Sequence, residues 1–134
     1  MSCQPMGGGA PAIVGWVGSI TNTSPTAVAQ VLCPIVRDNT SATPFFIDVS
    51  VLSVGPGFNQ TVGCQLISTD LAAGGVAAVY WGNPGHNALI NQNVQQIQWG
   101  NQWSFSMGTE ALACNIPPAG TNGQSAIIGY YVRE

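Results

Sequence analysis

Between residues 45 and 68 the chain twice places apolar side chains at every second position, and Gly55-Pro56-Gly57 separates the two runs. In 45–52 one face carries Phe45, Ile47, Val49 and Val51, and the other carries Phe46, Asp48, Ser50 and Leu52. In 61–68, Val62, Cys64 and Leu66 fall on the inner face while Thr61, Gly63 and Gln65 fall on the outer one. A period of two belongs to a half-buried β-strand, because successive side chains leave a pleated backbone on opposite sides. Glycine and proline between the runs supply the dihedrals that a chain reversal needs.

The same reading predicts strands over 12–20, 27–36, 76–81, 103–107, 111–116 and 126–132. The breaks are chemically explicit: Ser24-Pro25, Asp38-Asn39-Thr40, Asn83-Pro84-Gly85, Pro117-Pro118-Ala119-Gly120 and Thr121-Asn122-Gly123 all combine turn formers. Over 89–99, Leu89, Ile90, Val94 and Ile97 could line a helix, whereas Ile90, Gln92, Val94 and Gln96 alternate; strand is preferred. Seven to nine short strands with no long helix predict an all-β, single-domain antiparallel β-sandwich or jelly roll. That domain is expected over 12–134, after a glycine-rich leader over 1–11, and its length suffices for one real core.

Cys3, Cys33, Cys64 and Cys114 are widely spaced, with no Cys-x-x-Cys pair and with His86 as the one imidazole. No metal site is expected from that set, and no cofactor; two disulfides and an oxidising compartment are. Four cysteines allow three pairings. Cys3 with Cys33 and Cys64 with Cys114 is favoured, since the latter two sit in confident core strands. No export leader is recognisable, so a secreted protein is expected here in mature form, with Met1 added or retained. Asn-x-Ser/Thr matches begin at Asn22, Asn39 and Asn59, but a chain this rich in Asn and Thr produces such triplets by chance.

Charge then decides among functions. The whole inventory is Arg37, Arg133, Asp38, Asp48, Asp70, Glu110 and Glu134, and there is no lysine. Two arginines in a net-acidic chain cannot neutralise a phosphate backbone, so nucleic acid is not an expected partner. A polybasic membrane face fails for the same reason. The longest apolar runs, 10–20 and 71–81, are too short and too glycine-broken for a transmembrane helix.

Several motifs occur in a distinctive order: Cys3-Gln4-Pro5, Gly18-Ser19-Ile20-Thr21-Asn22-Thr23-Ser24, Cys33-Pro34-Ile35, Cys64-Gln65-Leu66, Cys114-Asn115-Ile116-Pro117 and the ending Ser125-Ala126-Ile127-Ile128-Gly129-Tyr130-Tyr131-Val132-Arg133-Glu134. Together they resemble a group of small bacterial secreted proteins of unassigned function, over nearly the whole chain. The resemblance implies an exported, disulfide-bonded β protein and no catalytic residue.

Acid–base hydrolysis requires two of only five acids to converge, and Asp38 and Asp70 lie beside turn residues, Asp48 on an outward strand face and Glu134 at the terminus. His86 lies in a glycine- and asparagine-rich loop, and no Gly-x-Ser-x-Gly elbow is present. A non-enzymatic protein is therefore expected. Exposed sheet edges are normally protected by lysine, other charges or proline, and here there is no lysine and most expected strands contain no charge. The leading expectation is a secreted structural protein that self-associates through strand edges into a filament, sheath or surface layer. Its expected contacts are Ile13, Val14, Trp16, Val17 and Ile20 in the first apolar segment, and Ile128, Tyr130 and Val132 in the last strand. The alternative is a carbohydrate-binding, lectin-like module in which Trp81, Trp99 and Trp103 form a platform beside Asn and Gln amides. A pore subunit or a virion decoration protein is a further alternative.

Overall fold

The computed structural model describes residues 3–6, 13–16, 19–36, 45–54, 61–70, 75–82, 94–102, 108–121 and 123–133. Ten strands are found among them: β1 (Gln4–Pro5), β2 (Ile13–Trp16), β3 (Ser19–Asn22), β4 (Ala29–Ile35), β5 (Phe45–Leu52), β6 (Gly63–Asp70), β7 (Gly75–Gly82), β8 (Val94–Gln102), β9 (Gly108–Ile116) and β10 (Ala126–Arg133). They form two five-stranded antiparallel sheets, β1-β4-β9-β6-β7 (sheet A) and β2-β3-β10-β5-β8 (sheet B). The segment 94–99 is strand, as preferred above, while the strand expected over 103–107 lies outside the described residues.

The pairing follows one rule. β6 pairs with β7, β5 with β8, β4 with β9 and β3 with β10, like successive rungs of a single long hairpin. Rolling that hairpin brings β10 beside β5 and β9 beside β6, which completes the sheets. A long hairpin rolled into two facing sheets is the jelly roll.

Two departures from the expected layout occur at the N-terminal side. The segment 12–20 is not one strand: β2 folds back on β3, from Ile13 opposite Asn22 to Trp16 opposite Ser19. Only Ile20 and Thr21 pair with β10, so the first half of the segment takes its hydrogen bonds from the second half. Within the leader, Gln4 and Pro5 pair with Leu32 and Val31 of β4, and Cys3 is bonded to Cys33.

The core is made by the alternation read from the sequence. Ile47, Val49 and Val51 of sheet B face Val31, Leu66, Leu112 and Ile116 of sheet A, all essentially inaccessible to water. Each such side chain contributes about 1.5–3 kcal/mol relative to an exposed one. Cys64 and Cys114 stand directly opposite each other on β6 and β9 and are bonded. The two disulfides close separations of 30 and 50 residues; loops of that size are worth roughly 3.5 and 4 kcal/mol in the chain-entropy model.

One end of the roll carries a buried polar network centred on Asn22, which is 0% exposed. Its Nδ2 donates to the carbonyls of Ala27 (2.8 Å), Ile116 (3.0 Å) and Pro117 (3.1 Å), and its Oδ1 accepts from the Ser24 N–H (2.9 Å). Two hydrogens serve three acceptors, so at least one is shared. Nearby, Ser125 Oγ accepts from the Val54 N–H and Ser53 Oγ accepts from the Val62 N–H, each at 3.0 Å. The turn that follows β9 closes with paired Gly120–Gly123 backbone bonds, and Gly123 has φ 126°, a conformation that favours glycine.

Asn22→Ala would remove the side-chain partner of two buried carbonyls, one part-buried carbonyl and one part-buried N–H, at about 1–3 kcal/mol for a buried group left unsatisfied. We expect a loss of about 3 kcal/mol or more in urea unfolding, and a larger loss for Asn22→Asp, which keeps the shape but presents acceptors to acceptors. The same burial closes the Asn22 triplet to sugar transfer: peptide mass spectrometry after expression in a glycosylating host should find Asn22 unmodified.

Candidate functional site

Four strands end the two sheets. On one side of the sandwich these are β1 and β2, of two and four residues, and β1 contains Pro5. On the other side they are β7 and β8, of eight and nine residues, consecutive in sequence and in contact. β7 reads Gly-Val-Ala-Ala-Val-Tyr-Trp-Gly and β8 reads Val-Gln-Gln-Ile-Gln-Trp-Gly-Asn-Gln, so neither holds a charge or a proline. β7 stays in unbroken register with β6 from Cys64–Gly82 to Ser68–Ala78, and β8 with β5 from Leu52–Val94 to Ile47–Trp99. The register shifts lie beyond those stretches. A bulge twists an edge away from a neighbour; here the half of each edge nearest Asn22 remains straight.

The side chains of β8 sort cleanly. Ile97 and Trp99 are buried, while Val94, Gln96, Gln98 and Gly100 face water, Val94 at 58%. The Gln98 amide donates to Gln96 Oε1 at 3.3 Å, which starts a glutamine ladder along the outer face. Register continues that face inward as the rows Gln98–Asp48–Tyr131 and Gln96–Ser50–Gly129. Tyr131 is 62% exposed, and the Arg133 guanidinium sits 4.7 Å above the Phe46 ring. The charges of sheet B therefore lie on β5 and β10, inside the edge rather than on it.

The residues singled out from sequence are scattered. Ile13, Val14 and Trp16 lie on β2, an edge strand; Val17 is outside the described residues; Ile20 is buried in the core. β10 is an interior strand flanked by β3 and β5. Of its three candidates Ile128 is exposed, while Tyr130 and Val132 pack against the core, and the Tyr130 hydroxyl donates to the Pro34 carbonyl across the sandwich (2.9 Å). Two of the three tryptophans of the alternative platform, Trp81 and Trp99, lie on described strands. Trp99 is a core residue of sheet B with its Nε1 lacking an acceptor, Trp81 belongs to sheet A opposite Gln65, and Trp103 lies outside the described residues, as does His86.

One residue was missed. Glu110 is buried on β9, opposite Ile35 on one side and Ser68 on the other, and is engaged within the protein. The signal was available, since counting back by two from Cys114 and Leu112 reaches Glu110. Among the described residues no group of three or more His, Cys, Asp or Glu is placed to hold a metal, and no helix is long and apolar enough to cross a membrane. Comparison with protein-family models, curated proteins and solved structures finds no match for the chain.

A strand with one neighbour opens more readily than one with two. In hydrogen exchange on a dilute sample, the backbone amides of β8 should exchange at least about tenfold faster than those of β10, and rising protein concentration should slow β8 selectively.

Proposed function

We propose that this jelly roll is a secreted, non-enzymatic structural protein whose copies join edge to edge into an extended extracellular assembly. The observation that carries the reading is the straight, charge-free and proline-free β8 edge of sheet B. An unpaired row of N–H and C=O groups on such a strand is a template for another strand, and soluble monomers normally blunt it. The two disulfides support an oxidising, extracellular setting.

Sheet B is the one that can propagate. It begins with β2 and ends with β8, and both lack charge and proline, whereas the corresponding first strand of sheet A is only Gln4–Pro5. β2 of one copy added beside β8 of the next is a head-to-tail contact, and a head-to-tail contact that does not close makes a filament. Ile13, Val14 and Trp16 then act from one side, while Gln96 and Gln98 extend their amide ladder from the other. The contact contains no ion pair, so ionic strength has little to screen.

Sedimentation velocity and negative-stain microscopy should show concentration-dependent polymers of wild type with nearly the same length distribution at low and high salt. The double substitution Gln96→Lys/Gln98→Lys places charge on the edge and should yield monomers of unchanged thermal stability. Added in small amounts to wild type, that variant keeps its β2 and should cap growing ends and shorten the polymers. A wild type that stays monomeric at high concentration would sink the proposal.

A further inference from the structure

Sheet A carries a feature that edge pairing does not use. On its outer face, over the interior strands β4, β9 and β6, Gln30, Gln65 and Asn115 surround a depression of about 200 Å³ completed by Met6, Ile67 and Ala113. Register brings the amides together: Gln30 is paired with Asn115, Gln65 with Ala113, and Asn115 with Gly63. Small residues at 63 and 113 leave the space between the longer side chains.

Three properties of this depression define what it can hold. Among the described residues it is lined by no charged side chain, so neither a carboxylate nor a phosphate finds a counter-charge in that lining. Its three carboxamides each offer a carbonyl acceptor and two N–H donors, and Gln30 and Asn115 are exposed to water while Gln65 is half-buried. The rest of its described lining is Met6, Ile67, Ala113 and Cys114, none of which carries a charge or a hydroxyl. A ligand that both donates and accepts hydrogen bonds around a neutral rim, and presents C–H groups on its face, is a sugar ring. The volume is below the roughly 300–1,000 Å³ of a drug-sized pocket, so it suits one ring rather than a chain.

The covalent framework is concentrated around the same place. Both disulfides lie within sheet A, and neither joins it to sheet B. Cys64–Cys114 crosslinks the two strands at the residues adjoining Gln65 and Asn115. Cys3–Cys33 holds the leader, and the Met6 N–H donates to the Gln30 carbonyl at 2.8 Å, which seats Met6 at the rim. Fixing a site before the ligand arrives lowers the ordering cost of binding.

We infer that this disulfide-braced depression is a subsite for one neutral pyranose ring of a glycan. It is independent of the edge that joins copies and leaves that edge free, so an assembly would display the subsite once per copy.

The test is NMR on 15N-labelled protein, following the side-chain carboxamides of Gln30, Gln65 and Asn115 during titration with glucose, galactose, mannose, N-acetylglucosamine and glucuronic acid. At least one neutral sugar should shift these three resonances saturably, with a Kd on the order of 1 mM, and glucuronic acid should bind at least about tenfold more weakly. Ala113→Leu fills the floor and should abolish the shifts, and Gln65→Ala should weaken binding by about tenfold while keeping a dispersed spectrum. Absence of saturable shifts with every neutral sugar would overturn the inference, as would equal shifts in a folded Ala113→Leu protein. Either result leaves edge assembly, read separately by sedimentation, untouched.

Discussion

The end of a rolled sandwich is where its backbone runs out of partners, and at one end of this protein a single carboxamide supplies them. Asn22 closes β3, and its side chain reaches the last carbonyl of β9 and the first carbonyl beyond it. Pro117 and Pro118 follow, and proline brings no N–H to the local supply of donors. An amide side chain is the one neutral group that can donate to those carbonyls and still accept from the Ser24 N–H. The crossing from sheet B to sheet A is thus set by Asn22, and the serines at 53 and 125 extend the same solution to the neighbouring loops.

Scarcity of charge has a different meaning at different places on this fold. On the interior strands it costs little, because their backbones are paired on both sides and their inner faces are packed. At the end of sheet B it leaves β8 with amides where a solitary domain would carry lysine, and amides add to a neighbouring strand as readily as they meet water. Arg133 and Asp48 stand one or two strands inward, where they solubilise a face without protecting an edge.

Much of this architecture was legible because period two survives burial. The inner faces of β5 and β6 were read correctly down to Ile47, Val49, Val51, Cys64 and Leu66, all buried, as is Val62 just before β6. The disulfide pairing followed from placing Cys64 and Cys114 on core strands. What period cannot encode is order across a sheet. The alternation of β10 reads the same whether its neighbours are two strands of its own chain or a second copy, so its position between β3 and β5 was invisible. The hairpin of β2 and β3 was missed because an apolar run does not announce where it reverses, and Glu110 because the strand was begun at 111, three residues after its start at Gly108. Composition, likewise, counts rings but does not say which sheet owns them: Trp81 belongs to sheet A and Trp99 to sheet B.

The register of Cys64 and Cys114 also fixes an order in time. β6 and β9 are not rungs of the long hairpin; they become neighbours only when the hairpin has rolled over on itself. The pair β3 and β10 comes from opposite ends of the chain, and such distant partners assemble slowly. A crosslink between β6 and β9 therefore cannot form in its native place until the hairpin has rolled. Once formed, it acts as a latch: the newly oxidised protein carries a covalent record that β6 and β9 have already met, and unrolling cannot separate those strands again without a reductant.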